Sequence, residues 1–474
     1  MTTTLDITKA VFGVASENPE VAAAKSTRTF VRDQDHVAFF KQGATGRVLT
    51  AVEAIRAFGI DKLYEAWEYG AAIIVASPDE PGATIRNQRE ALGLSQEQLA
   101  RATNLPVGVI EDVELGKARQ SIHAVDRIAQ ALALDDSVMT WIAGAHADGQ
   151  LAVRLRDYSS GGGGLSPSAV AALCEAAWIA RTEARLRSWL GPVEELWRSF
   201  DPLDDFGNSM RPAWRVGYWL AEATREKLRL GQDAPITSLR ELVGSLGIVL
   251  IQSELPHLIA GATISVDAQR AIVVNVNGAN SNPWIRRATV AHELGHLIWD
   301  PDQRLNHLKV DSYGDLQNDY AHAPDRVEAR ANAFAIAFLA PPRSVIRVFG
   351  QHEDPTAGLR GVMETFGLSM SAARHHVENS HNNAGVPLRV DLRSVRCSSS
   401  ATQDWVVSEN MTLDWFPVQS TPQSRRGSFA ARVVEAERGG LISSSTAASY
   451  LDTEVETYEA NRDSLADVLG LAGV

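Results

Sequence analysis

Two histidines four residues apart, with a glutamate beside the first, stand in Ala291-His292-Glu293-Leu294-Gly295-His296. Histidine is scarce in this chain, 12 in 474 residues, so an accidental HExxH match is not expected even once. On a helix, side chains at i and i+4 lie one above the other, and two imidazoles so placed can reach one tetrahedral zinc ion. Glu293 then stands where it could take a proton from water at the metal. The flanks suit a helix: Asn282-Pro283 supplies an N-cap and a proline at the first helical position, and Asp300-Pro301 closes the segment. A catalytic zinc needs a third protein ligand and an open position. Glu328 is the best-placed carboxylate, on a second helix expected from Pro324 to Leu339 and ended by Ala340-Pro341-Pro342. Val327, Ala331, Phe334 and Phe338 form its apolar stripe, while Glu328 and Asn332 share the adjacent face. The Asn332 side-chain oxygen could accept the other ring N–H of a ligating histidine. One zinc per chain is the cofactor this constellation implies.

These helices need a scaffold, and residues 212–380 carry α+β patterning. Thr237–Leu246 is amphipathic, Gly247–Ile251 reads as a buried strand, and Ala260–Ser265 with Ala271–Asn277 reads as a hairpin. The second hairpin strand precedes the HExxH helix and is expected to lie at a sheet edge, where an extended peptide could add as a further strand. A tetrahedral oxyanion beside zinc wants an extra donor. Tyr320, His322, His375 and His376 are candidates by residue type alone.

Pro235–Gln252 (PITSLRELVGSLGIVLIQ), Ala271–Asp300 (AIVVNVNGANSNPWIRRATVAHELGHLIWD) and Glu328–Pro341 (EARANAFAIAFLAP) resemble the ImmA/IrrE zinc metallopeptidases, over about 170 residues. The resemblance implies a thermolysin-like, gluzincin core with zinc on His292, His296 and Glu328 and Glu293 as general base. It also implies that the substrates are repressor proteins rather than bulk peptides. Ala430–Leu451 is similar to a C-terminal helical segment of some members.

A second module precedes this one. Ile85–Leu134 is dense in short helical patterns: Ser95 caps Gln96–Ala102, a turn leads to Pro106–Leu115, and after Gly116 a last helix ends near Leu134. Leu92, Leu99, Ile110, Val113, Ile122, Ile128 and Leu132 can close one small core. The segment resembles the XRE/Cro-type helix-turn-helix, with its landmarks at Leu94–Ala100 and Glu114–Lys117. Its recognition helix begins Pro106-Val107-Gly108, without side-chain donors, and continues into Glu111 and Asp112. Residues 84–135 hold six Arg and Lys against seven Asp and Glu. Gln96, Arg101, Lys117 and Arg119 are the DNA-contact candidates. Dimerisation or partner recognition is the competing role for this module.

The rest of the chain bounds these readings. At 45% hydrophobic and 22% charged residues it can bury proper cores, and 474 residues suggest about three domains. A net charge of −13 disfavours non-specific coating of DNA, and two cysteines exclude a disulfide framework or a multi-cysteine zinc finger. The opening residues do not read as a secretory signal and no apolar run is long enough to cross a bilayer, so a cytoplasmic protein is expected. Five segments are expected: a mixed domain at 1–80, the helix-turn-helix at 84–136, a helical connector with a four-glycine hinge at 137–211, the peptidase at 212–380, and a β-then-helical domain at 385–474. Neither the first nor the last suggests chemistry. Five of the eleven tryptophans fall between Trp178 and Trp219, and read as packing of the connector.

The fold class expected is multidomain α+β, an all-α helix-turn-helix joined to a thermolysin-like α+β metallopeptidase with flanking domains. The leading function is a zinc endopeptidase that regulates gene expression by site-specific cleavage of a repressor-type protein. The alternative is an XRE-family DNA-binding regulator whose zinc domain senses without cutting. Partners follow from these: a protein substrate, itself an XRE-type repressor, DNA through the helix-turn-helix, and a second copy of the chain if that module dimerises.

Overall fold

Helix starts follow local chemistry. Thr3, Thr50 and Ser95 each close a reciprocal capping box, and Asn282 and Ser369 cap with their side chains. The computed structural model describes residues 3–75, 80–117, 120–136, 165–191, 195–203, 211–256, 258–266, 269–300, 309–312, 326–409 and 416–471. The chain divides into two units, Met1–Val193 with Thr412–Val474, and Glu194–Met411.

The first unit opens with an antiparallel sheet of β1 (Thr29–Arg32), β2 (His36–Phe39), β3 (Arg47–Thr50) and β4 (Ala72–Ile73), in the order β3-β1-β2-β4. Helices Thr4–Phe12, Pro19–Ala24 and Ala51–Tyr69 cover it over a core that includes Phe12, Phe30, Val37, Leu49 and Leu63. Gly59, at φ +75°, breaks the last of these helices. The helix-turn-helix follows as Gly82–Ala91, Gln96–Thr103, Val107–Leu115 and Ile122–Ala131. All seven apolar residues expected to close its core are buried. Gly82 permits a close crossing, since a Cβ there would lie 2.3 Å from the Val113 carbonyl oxygen.

The long helix Pro167–Leu190 and helices Ser428–Arg438, Ser444–Tyr450 and Val455–Val468 complete this unit. Trp178 stands edge-on to Phe429 and Tyr450. The C-terminal helices are bonded into the N-terminal sheet: Ser443 donates from Oγ to Val48 O (2.6 Å) and from its N–H to Glu53 Oε2 (2.9 Å). Residues 385–474 are therefore not one appended domain, because 385–411 group with the second unit and 412–474 with the first. Nor is their first half β-like, for no strand occurs among the described residues there. The described part of that half forms the 3-10 turns Leu392–Ser394 and Gln423–Arg425 and the helix Gln403–Glu409, with Leu392, Val395, Trp405, Phe416 and Val418 buried.

The second unit holds β5 (Val249–Ser253), β6 (Ile259–Val266), β7 (Gln269–Asn275) and β8 (Lys309–Ser312), ordered β5-β7-β6-β8. β5 runs parallel to β7, and β6 pairs antiparallel with both β7 and β8. The expected hairpin is present, but β7 is internal to the sheet. The parallel partner β5 and the hairpin partner β6 take both its edges, so no extended peptide can add to it. The HExxH helix Pro283–Trp299 packs across β6 and β7 and against the helix Arg326–Leu339. That crossing is tight at Gly295, where a Cβ would lie 2.6 Å from the Phe334 ring. Helix Ala213–Lys227 covers the other side of Arg326–Leu339, with Gly217 at the contact. Helices Pro342–Gly350, Pro355–Phe366 and Met370–Ala384 follow. No single helix among the described residues is long and apolar enough to cross a membrane.

Candidate metal centre

Asn282 starts the HExxH helix by accepting the Trp284 N–H (2.9 Å), and Pro283 fits the first turn because it needs no donor. From Thr289 to Trp299 every residue is buried. His292 and His296 therefore face protein rather than solvent, with Nε2 atoms 3.1 Å apart. Glu328, in the first turn of its helix, brings Oε2 to 3.3 Å from His292 Nε2 and 3.7 Å from His296 Nε2. These three edges test the fit of a metal. Zinc at about 2.0–2.1 Å from each of two imidazoles and a carboxylate in tetrahedral array places the donor atoms roughly 3.3–3.4 Å apart. The observed triangle, with edges of 3.1, 3.3 and 3.7 Å, fits one face of such a tetrahedron. Among the described residues the other cluster of this kind, Asp33, Asp35 and His36, is half-exposed. Asp33 Oδ1 there accepts the N–H groups of Asp35 and His36, which makes it a turn.

The orientation of His296 is fixed from behind. Its Nδ1–H donates to Asp300 Oδ2 at 2.8 Å, which leaves the Nε2 lone pair for a metal. Arg330, one turn beyond the first helical residues of the Glu328 helix, donates to the other Asp300 oxygen. Burial alone would raise the Asp300 carboxyl, but His296 and Arg330 together hold it well below the usual carboxylate range. Asp300 both ends the helix and, at i+4 from His296, stands as its partner, a pairing that the spacing alone makes legible. For His296 it takes the place given to Asn332, which is buried on the Glu328 helix.

Glu293 is fully buried. β6 makes room for it: a Cβ on Gly261 would sit 2.8 Å from Glu293 Oε1 and 3.0 Å from Thr289 Cγ2. The β6–β8 register slips between Ile259 and Gly261, leaving Ala260 as the extra residue of a bulge. Asn280 holds that bulge, donating from Nδ2 to Ala260 O (2.9 Å) while its Oδ1 accepts the Thr289 hydroxyl (3.0 Å).

The remaining site candidates fare differently. His376 is buried, with its Nε2–H on Ala340 O (2.7 Å) and Nδ1 accepting the Tyr218 hydroxyl (3.0 Å). Both ring nitrogens are thus committed to packing, which removes His376 as an oxyanion donor. Burial pushes its pKa down to about 4, against a smaller upward effect of the Ala340 bond. His375 is exposed on the same helix. Tyr320 and His322 lie outside the described residues, as does Arg119.

In the helix-turn-helix, Arg101 and Lys117 are exposed. Gln96 is engaged internally, donating to Glu114 Oε2 (2.8 Å). Glu114 also receives a bidentate pair from Arg89, at 2.6 and 2.9 Å. The acidic landmark of the motif is therefore a buried tie between helices. Val107, Gly108, Glu111 and Leu115 form the exposed face of the recognition helix, a face without hydrogen-bond donors in its side chains.

Comparison with known proteins agrees with this division. Residues 81–141 match the helix-turn-helix domain family. Residues 247–378 match the IrrE N-terminal-like domain, a peptidase family, and that span contains His292, Glu293, His296 and Glu328. No curated protein matches the chain. The chain thus carries, in this order, an XRE-type helix-turn-helix domain and an IrrE N-terminal-like domain of metallopeptidase type.

Proposed function

We propose that this protein is a zinc-dependent endopeptidase that regulates gene expression by cutting a repressor-type protein at one or a few sites. The observation that carries this is the triangle of His292 Nε2, His296 Nε2 and Glu328 Oε2, with the Glu293 carboxylate buried beside it. Zinc held by these three residues would supply a Lewis acid at the scissile carbonyl. Glu293 takes the proton of the attacking water and returns it to the departing amine. Its burial, and the space left by Gly261, keep that carboxylate aimed and out of bulk solvent. Asp300 and Arg330 hold His296 in the required tautomer.

An extended substrate segment cannot join β7; among the described residues the outermost strand on the β6 side is β8. Main-chain pairing of that kind accepts any sequence, so the choice of substrate comes from elsewhere. A folded repressor must first free a segment, which favours a cut in a loop or frayed helix. The test is co-expression with candidate XRE-type regulators from neighbouring genes. Fragments should form with the wild-type chain and zinc, and fail to form with Glu293→Gln or a chelator. Intact partners together with tight, zinc-dependent DNA binding would establish the sensor-type regulator instead.

A further inference from the structure

The unit that contains the helix-turn-helix carries a half-open cavity of about 200 Å³ whose walls include Arg32, Arg47, Arg56, Arg185, Trp189 and Tyr450. The four arginines fall into two pairs. Arg32 and Arg47 are buried and neutralised: Arg32 binds Asp126 (2.8 Å), and Arg47 binds Asp126 (3.0 Å) and Asp136 (2.7 Å). Glu53, also on the wall, is spent on the backbone N–H groups of Thr50 (2.8 Å) and Ser443 (2.9 Å).

Arg56 and Arg185 are different. Their guanidinium carbons lie 4.7 and 5.9 Å from the same Trp189 ring. Arg56 makes no hydrogen bond among the described residues, and its nearest carboxylate, Glu20, is 3.9 Å away and mostly exposed. Arg185 donates to the Tyr450 hydroxyl (2.8 Å) and to Asp135 (3.3 Å) and lies 3.7 Å from Asp136, which it shares with Arg47, while its buried Nε has no hydrogen-bond partner among the described residues. Two cations with donors to spare, set over an indole, face the apolar side chains of Leu49, Ala57 and Phe58.

We propose that this cavity binds a small organic anion, a carboxylate or a phosphate joined to an apolar or aromatic group. Arg56 and Arg185 take the charged end, the Tyr450 hydroxyl adds a donor, and Trp189, Phe58 and Leu49 contact the rest. The cavity is smaller than the roughly 300–1,000 Å³ typical of drug-sized ligands, which limits the occupant to a small molecule. Its walls come from the N-terminal sheet and helix, the connector helix and the C-terminal helices, with Asp135 from the end of the helix-turn-helix. The anion displaces Asp135 from Arg185. Asp135 belongs to the segment that leaves the last helix of the helix-turn-helix, just beyond Ala133 at φ +58°. Ligand binding is thereby coupled to that module.

The test is calorimetric titration of the full-length protein with phenyl phosphate, phenylacetate, inorganic phosphate and neutral benzyl alcohol. Phenyl phosphate or phenylacetate should saturate, and whichever binds tighter identifies the anionic group. Binding should weaken about tenfold or more in Arg56→Gln and in Trp189→Leu. It should tighten severalfold in Asp135→Asn, which removes the internal competitor. Arg56 is partly exposed and makes no hydrogen bond, so Arg56→Gln should melt as the wild type does. Three results overturn the proposal: no saturation by either aromatic anion below about 10 mM, unchanged affinity in both Arg56→Gln and Trp189→Leu, or equal binding of benzyl alcohol.

Discussion

Removing Asp300 should separate what it does for a metal from what it does for the fold. In Asp300→Ala, His296 loses the acceptor 2.8 Å from its Nδ1, and with it the tautomer and ring orientation that aim Nε2 at the zinc position. Loss of such an outer partner weakens metal binding by about 10–100-fold, or roughly 1.4–2.7 kcal/mol. The same change deprives Arg330, 2% exposed, of its carboxylate. Breaking a buried pair from one side costs about 3–5 kcal/mol of stability. A second substitution pulls the two effects apart. Asp300→Ala with Arg330→Met also removes the buried cation that lost this carboxylate, so it should unfold in urea closer to the wild type while still binding zinc weakly. Competition against a chromophoric chelator reads the first quantity, and urea titration of the metal-free protein the second. If Asp300→Ala binds zinc as tightly as the wild type, Asp300 serves Arg330 alone and the account of His296 fails.

Other predictions are as direct. His292→Ala, His296→Ala and Glu328→Ala should each abolish tight zinc binding, whereas Glu293→Gln should keep zinc and lose cleavage; zinc content unchanged in Glu328→Ala would remove that ligand. Gly261→Ala forces a methyl to within 2.8 Å of Glu293 Oε1, so peptide cleavage should fall at least tenfold while zinc stays bound, and full activity would show that the carboxylate is aimed by something else. His376 has a folded pKa near 4, below its ordinary 6.5, so the unfolded chain binds a proton that the folded chain refuses. Its contribution is whole above pH 6.5 and lost as pH falls toward 4, which should make urea stability between pH 6.5 and 4.5 drop by about 2 kcal/mol less in His376→Gln than in the wild type. DNA binding, carried by a recognition helix with no exposed donor, should be steep in salt, indifferent to sequence and weakened by Lys117→Ala with Arg119→Ala. A sequence-specific shift surviving both substitutions would contradict that.

The helices of the metal centre were readable because their signals are local: Asn282-Pro283, the i, i+4 histidines and the stripe on the Glu328 helix all act within a few turns. What the sequence concealed was set by partners far along the chain. β7 is internal only because β5 pairs with it from one side and β6 from the other, and β8 joins beyond the HExxH helix. β1 to β3 were missed since each has four residues, too short for alternation to register. His376 is a donor candidate by type, and its two bonds come from far along the chain, to Tyr218 on another helix and to Ala340 in the bend after Leu339. Trp189 reads as packing in the sequence; only the approach of Arg56, from a helix more than a hundred residues earlier, marks it as part of a cavity.

The first unit is discontinuous, with all of Glu194–Met411 inserted between its two parts. On the ribosome this sets an order. The second unit is complete in sequence before the segments that bond Val48, Glu53 and Gln130 have been made, so it can mature while the helix-turn-helix unit still lacks its last quarter, Thr412–Val474. A nascent chain therefore acquires its candidate metal site before its candidate DNA-binding and ligand-binding unit closes. A message truncated after residue 411 would encode the second unit whole and the first without Thr412–Val474.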